Sequence, residues 1–140
     1  MIRSLGVLSA FCGALLFTMS SCITQVQPAP APGSMVSNER TRAIGAYAAT
    51  LGCGLLDADK AVRAAAAGKN LIELSRTNEQ DRMVYEYKDI YDTRISVTLT
   101  LDVNNQTGIV IRCGKTGNKA FSKAFLDAVG FELNRATIAQ

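Results

Sequence analysis

Four sets of side chains in this sequence have the types and spacing to do chemistry, and each fits a different task. Cys53 and Cys113 are two thiols of the folded part of the chain. Outside the cytoplasm such a leftover pair suggests a disulfide. The other reading is two buried free thiols, since cysteine is among the most buried residue types. Glu79, Asp81, Glu86, Asp89 and Asp92 cluster in sequence. Two such carboxyls about 5 or 6.5–9.5 Å apart in a cleft would suit a glycan or cell-wall hydrolase. Arg112, Lys115, Lys119 and Lys123 form a basic run that could hold an anionic group, or simply form the solvated face of a helix. Cys22, directly after an apolar run, is the fourth case.

The chain contains no histidine. That excludes a Ser-His-Asp or Cys-His triad, an HExxH zinc site and any imidazole acid–base step, and it makes a catalytic cysteine a remote reading. With no tryptophan, an aromatic platform for sugars would fall to Tyr47, Tyr85, Tyr87 and Tyr91. "GKTGNK" has the look of a phosphate loop, but Gly108 and Gly114 are separated by five residues where the P-loop needs four. "DVNNQTG" fails as a calcium loop because Cys113 stands where the bidentate Glu belongs. No cofactor and no metal is expected.

Cys22 belongs to a different kind of chemistry. Arg3 precedes an apolar run from Leu5 to Phe17, which is signal-peptide length and short of the roughly 20 residues a membrane span needs. Met19, Ser20 and Ser21 then lead into Cys22. This resembles the bacterial lipobox, in which the cysteine thiol receives diacylglycerol and becomes the mature N-terminus. Residues 23–38 carry all three prolines of the chain and no charge. Such a segment cannot bury enough apolar surface to fold and reads as a tether. The expected organisation is a lipoprotein signal peptide over 1–21, a lipidated cysteine and tether over 22–38, and one domain over 39–140. Once Arg3 leaves with the signal, 14 basic and 12 acidic side chains remain, a net charge of +2. So even a balance gives no argument for nucleic acid.

The domain's elements follow from periodicity. From Tyr47 to Leu55 the apolar residues alternate, with Gly52 and Gly54 on the other parity, which favours a strand over a helix carrying two glycines. "ADKAVRAAAAG" is a helix expected to be capped by Asp57 and closed by Gly68. "KNLIELSRT" and "RMVYEYKDI" are strands. "RISVTLTLDV" is the clearest, with Ile95, Val97, Leu99, Leu101 and Val103 on one side, and "NNQTG" turns it back into "IVIRC". Phe121, Phe125, Val129 and Leu133, at steps of four, make the last segment an amphipathic helix capped by Asn118 or Thr116. The expected fold is α+β: an antiparallel sheet of about five strands with two helices packed on one face, in the order strand, helix, four strands, helix.

"GIVIRCGKTGNKAFSKAFLDAV" resembles the end of a family of small bacterial lipoproteins of unknown function, whose domain closes with a strand, an I-R-x-G-x-x-G turn and an amphipathic helix. The matching residues are Ile111, Arg112, Gly114, Gly117 and Ser122, and "ATLGCGLLDADKAVRAA" resembles the same family's first strand and helix. The resemblance implies fold and envelope location and supplies no activity. Gly114 and Gly117 are expected to be structural, permitting the turn. Two classes of function follow. The first is a non-catalytic lipoprotein, held to the membrane by its anchor, whose domain binds an envelope protein or anionic polymer through the basic turn or the polar sheet face around Arg94, Thr98 and Thr100. The second is the carboxylate-dependent hydrolase. Ile23 after the cysteine, by resemblance to Gram-negative sorting, points to the outer membrane rather than the inner.

Overall fold

The computed structural model describes residues 35–42 and 45–140. Among the described residues eight elements follow one another: β1 (Val36–Thr41), β2 (Tyr47–Leu51), α1 (Leu55–Gly68), β3 (Ile72–Glu79), β4 (Arg82–Lys88), β5 (Arg94–Leu101), β6 (Thr107–Cys113) and α2 (Lys119–Ile138). The fold is α+β, as the periodicity indicates. All neighbouring strands pair antiparallel in one six-stranded sheet of order β1-β2-β6-β5-β4-β3.

The period-2 pattern is what builds this sheet. Met83, Tyr85 and Tyr87 on β4, Ile95, Val97 and Leu99 on β5, and Ile109, Ile111 and Cys113 on β6 are all buried. They form one cluster with Val62 and Ala65 of α1 and Phe125, Leu126 and Val129 of α2. Both helices therefore cover the same face. Phe125, Leu126 and Val129 are fully buried, each worth about 1.5–3 kcal/mol by transfer from water. The opposite face carries Ser96, Thr98, Val110 and Arg112, all half-buried and, among the described residues, covered by no helix.

Several local expectations change. A sixth strand, β1, takes in Val36, Ser37 and Asn38, ahead of residue 39, and pairs with β2 through a bulge between Ser37 and Arg40. It docks partly because Gly130 of α2 leaves room for Val36: a Cβ there would come within 3.0 Å of the valine's Cγ2. Gly54, not Asp57, is the N-cap of α1, and Asp57 sits in the first turn, where a carboxylate still meets the positive end of the helix dipole. Val103 has left β5 for the turn and is 96 % exposed. Asn118 caps α2, its side-chain oxygen accepting from Phe121 N at 3.0 Å. Residues 1–34, including Cys22, lie outside the described part; among the described residues no helix is long and apolar enough to cross a membrane.

Candidate functional site

The sheet has two ends. At one lie the β4–β5 turn, the β6–α2 turn and the start of α2; at the other lie the β3–β4 and β5–β6 turns and the start of α1. Arg112 is the penultimate residue of β6, opposite Ser96 of β5, and Arg94 opens β5. Their placement at the first end is locked by the turn that follows. Gly114 N donates to Arg94 O at 2.8 Å, and Gly114 and Gly117 have φ of +72° and +79°, the left-handed region open mainly to glycine. Arg112 Nη2 donates to the Lys115 carbonyl, drawing the turn over the sheet.

Gly117 has a second reason to lack a side chain. A Cβ on it would lie 2.3 Å from the Gly45 carbonyl oxygen, and one on Gly45, itself at φ +67°, would lie 2.3 Å from the Thr116 oxygen. The β1–β2 and β6–α2 turns thus press backbone to backbone.

Arg94, Arg112 and Lys115 line one open cleft of about 540 Å³ on the uncovered side, together with Asp92, Thr93, Ser96 and Gly114. Arg94 meets Glu86 at 3.8 Å with both side chains largely solvated, a pairing of little worth. Arg112 and Lys115 have no carboxylate partner among the described residues. The arrangement can hold an anion.

The basic run is not one patch. Lys123 sits on the helix side, bridging Glu39 at 3.3 Å and Asp127 at 3.4 Å. Glu39 also accepts from the Tyr47 hydroxyl at 2.7 Å. That hydrogen bond, opposed by burial and reinforced by Lys123, holds the Glu39 carboxyl below its ordinary value. Lys123 thus fastens β1 to α2. Lys119 is exposed at the helix start, without an ion pair among the described residues. Sequence reasoning missed Arg40 and Arg42 because β1 was not recognised. They line a second cleft of about 250 Å³ on the same uncovered face.

The disulfide expected between Cys53 and Cys113 does not form; both thiols are free. The Cys53 carbonyl accepts from Thr107 Oγ1 at 2.9 Å, at the start of β6, while Cys113 ends that strand. Six residues of extended chain hold the two ends of β6 about 20 Å apart, far beyond the roughly 7 Å Cα limit of a disulfide. Shared strand parity does not hold for Cys53, because β2 ends at Leu51 and Cys53 lies in the bend beyond it; it packs against the core but far from Cys113. Burial pushes the Cys53 thiol up to about 11 and Cys113 upward as well, with Asp57 and Asp89 adding to the respective shifts, so neither is an activated nucleophile.

The carboxylates also disperse. Glu79 and Asp81 lie at one end of β4, Asp89 and Asp92 at the other. Asp89 accepts from the amides of Tyr91 and Thr93 at 2.8 Å each, and Asp92 pairs with Lys88 at 3.2 Å. Glu79 shares an open cleft of about 720 Å³ with Asp57, whose side chain is 67 % exposed. Ser122 is buried in α2 with its hydroxyl unpartnered, and Arg112 Nε is likewise buried without a partner. Among the described residues no group of His, Cys, Asp or Glu is arranged to hold a metal.

A family model described as a protein of unknown function (DUF3568) matches residues 6–130. No curated protein matches the chain.

Proposed function

The chain belongs to the DUF3568 family of proteins of unknown function, and from its own residues we propose that it is a lipoprotein of the bacterial cell envelope, anchored through Cys22, whose small domain binds an anionic partner without catalysis. The observation that carries the binding half is the cleft where Arg94, Arg112 and Lys115 converge on the face no helix covers. Two of these three cations are unneutralised, and arginine's planar fork suits carboxylate and phosphate groups. The anchoring half rests on the signal-length apolar run, the "MSSC" that ends it and the proline-bearing stretch beyond. One acyl chain holds a membrane only weakly, so the two or three chains a lipobox cysteine carries would make the attachment durable. Ile23 after the cysteine supports an outer-membrane address, with the domain in the periplasm.

Two measurements test this reading. Mass spectrometry of the mature protein should find lipid-modified Cys22 as its first residue, and Cys22→Ala should leave an uncleaved or soluble form; an unmodified N-terminus elsewhere would contradict the anchor. In crosslinked envelopes, partner capture should fall with added salt and with Arg94→Gln/Arg112→Gln, as expected for an exposed charge contact. Capture indifferent to both would contradict the cleft.

A further inference from the structure

We propose that the uncovered sheet face is a groove for a linear anionic polysaccharide, gripped at two points by arginine pairs beside a row of threonine hydroxyls. This rests on the partner-binding reading above and specifies its ligand. The first grip is Arg94 and Arg112. The second is Arg40 and Arg42, which stand on and just after the edge strand β1 over a floor that includes Thr50, Thr100 and Gly108. Register puts both grips on one face: Arg40 opposes Ala48, Ala48 opposes Val110, and Val110 opposes Thr98. From β1 it is two strand spacings to Arg112 on β6, about 10 Å, and three to Arg94 on β5, about 14 Å. A ligand that meets all four arginines across that face is best served by repeated charges along a chain.

Three further observations select the chemistry. Arg40, Arg42 and Arg112 have no carboxylate partner among the described residues, so the groove's charge is available to a ligand. Directly between the grips lie Ala48 and Val110; Thr50, Thr98 and Thr100 border that line on the same face, and their hydroxyls can both donate and accept, matching sugar hydroxyls. Small Ala48 and Gly108 leave this floor flat; a Cβ on Gly108 would have its nearest neighbour at 3.7 Å. Finally, Tyr47, Tyr85 and Tyr87 are buried in the core beneath the helices, and Tyr91, exposed in the β4–β5 turn, lines neither cleft. A face without their rings lacks the stacking platform that single-stranded nucleic acid uses. Charge and hydroxyl hydrogen bonding are what it offers, which favours an acidic glycan over a nucleic acid or a neutral glycan.

The test titrates the full-length protein, in detergent micelles, with galacturonate and with oligogalacturonides of graded length. Affinity should rise steeply once the oligomer spans both arginine pairs. Arg40→Gln/Arg42→Gln should weaken long oligomers about tenfold or more by removing the second attachment point, and leave short ones unchanged. Arg94→Gln/Arg112→Gln should weaken both. All four residues lie on the surface or half-buried, and circular dichroism melts confirm that each variant folds. Long oligomers binding the Arg40→Gln/Arg42→Gln variant as tightly as wild type would overturn the groove and leave the single cleft standing. So would no binding at any length, if envelope capture by wild type is still lost in Arg94→Gln/Arg112→Gln. Polyphosphate binding as tightly as oligogalacturonide at equal charge would show that the hydroxyl floor contributes nothing, and would overturn the glycan. Preferential binding of single-stranded DNA or of an acidic protein would overturn it too.

Discussion

Replacing Gly117 with alanine probes how the turn that carries Lys115 is built. Two costs add. At φ +79° an L-residue loses about 1–2 kcal/mol relative to its preferred region. The new Cβ would also stand 2.3 Å from the Gly45 carbonyl oxygen and 2.5 Å from its Cα and carbonyl carbon. These are backbone atoms that cannot rotate aside, so the two turns must separate, at the roughly 1–3 kcal/mol typical of overpacking. The expected loss is about 2–5 kcal/mol in a domain whose total stability is on the order of 5–15 kcal/mol. At roughly 4–8 °C per kcal/mol for a domain of this size, Tm should fall by about 8 °C or more. Gly114→Ala is the control. It has nearly the same φ, +72°, but its Cβ would find only Thr93 Cγ2 at 3.7 Å, so it should lose the backbone cost alone. Gly45→Ala should behave like Gly117→Ala, and the double variant should cost less than the two singles together, because one separation of the turns accommodates both. Thermal and urea unfolding read these values. A Gly117→Ala loss no greater than that of Gly114→Ala would refute the backbone contact.

Three further outcomes are expected. Tyr85 donates its hydroxyl to Asp59 while the buried Tyr87 hydroxyl has no partner; Tyr85→Phe should therefore destabilise by about 1.5–3 kcal/mol and Tyr87→Phe should be neutral or stabilising by about 1 kcal/mol, read by urea melts. Reductant should leave Tm unchanged, and alkylation of Cys53 in the folded protein should be slow at pH 7 and quicken as pH rises toward about 11; protection of both thiols that reductant abolishes would restore the disulfide. Because Glu39 is held below its ordinary value of 4.5, its contribution to stability is complete above that pH and is lost as pH falls through the lower folded-state value; Glu39→Gln should flatten the acid limb of the stability–pH curve below about 4.5.

The strands β4, β5 and β6 and the helix α2 were legible because one face of each is apolar at the period of its own geometry. β2 was legible through its alternation, the glycines at 52 and 54 lying just past its end. β1 was not. "VSNERT" has no alternation and follows a proline-bearing stretch; it becomes a strand by pairing with the edge of β2, a long-range effect that no local pattern announces. Arg40 and Arg42 were lost with it. The turn glycines at 114 and 117 were readable as positive-φ positions, but the facing Gly45 was not, since the contact joins two turns distant in sequence. The basic run showed which side chains are charged without showing which face each takes: Arg112 alternates with the core residues of β6 and so faces out, whereas Lys123, on a helix, turns to Glu39. Cys53 and Cys113 failed as a pair because β2 ends at Leu51, short of Cys53, and because parity reports the face of a sheet and says nothing of position along it.

The central claim is that the partner lies on the uncovered sheet face. The most direct measurement places a photocrosslinking amino acid at Thr98, in the middle of that face, or at Phe131, which is 64 % exposed on the outer side of α2, and irradiates intact envelopes. Adducts from Thr98 that disappear in an Arg94→Gln/Arg112→Gln background, with none from Phe131, are the predicted result. Adducts from Phe131 alone, or from Thr98 regardless of the arginines, would contradict it.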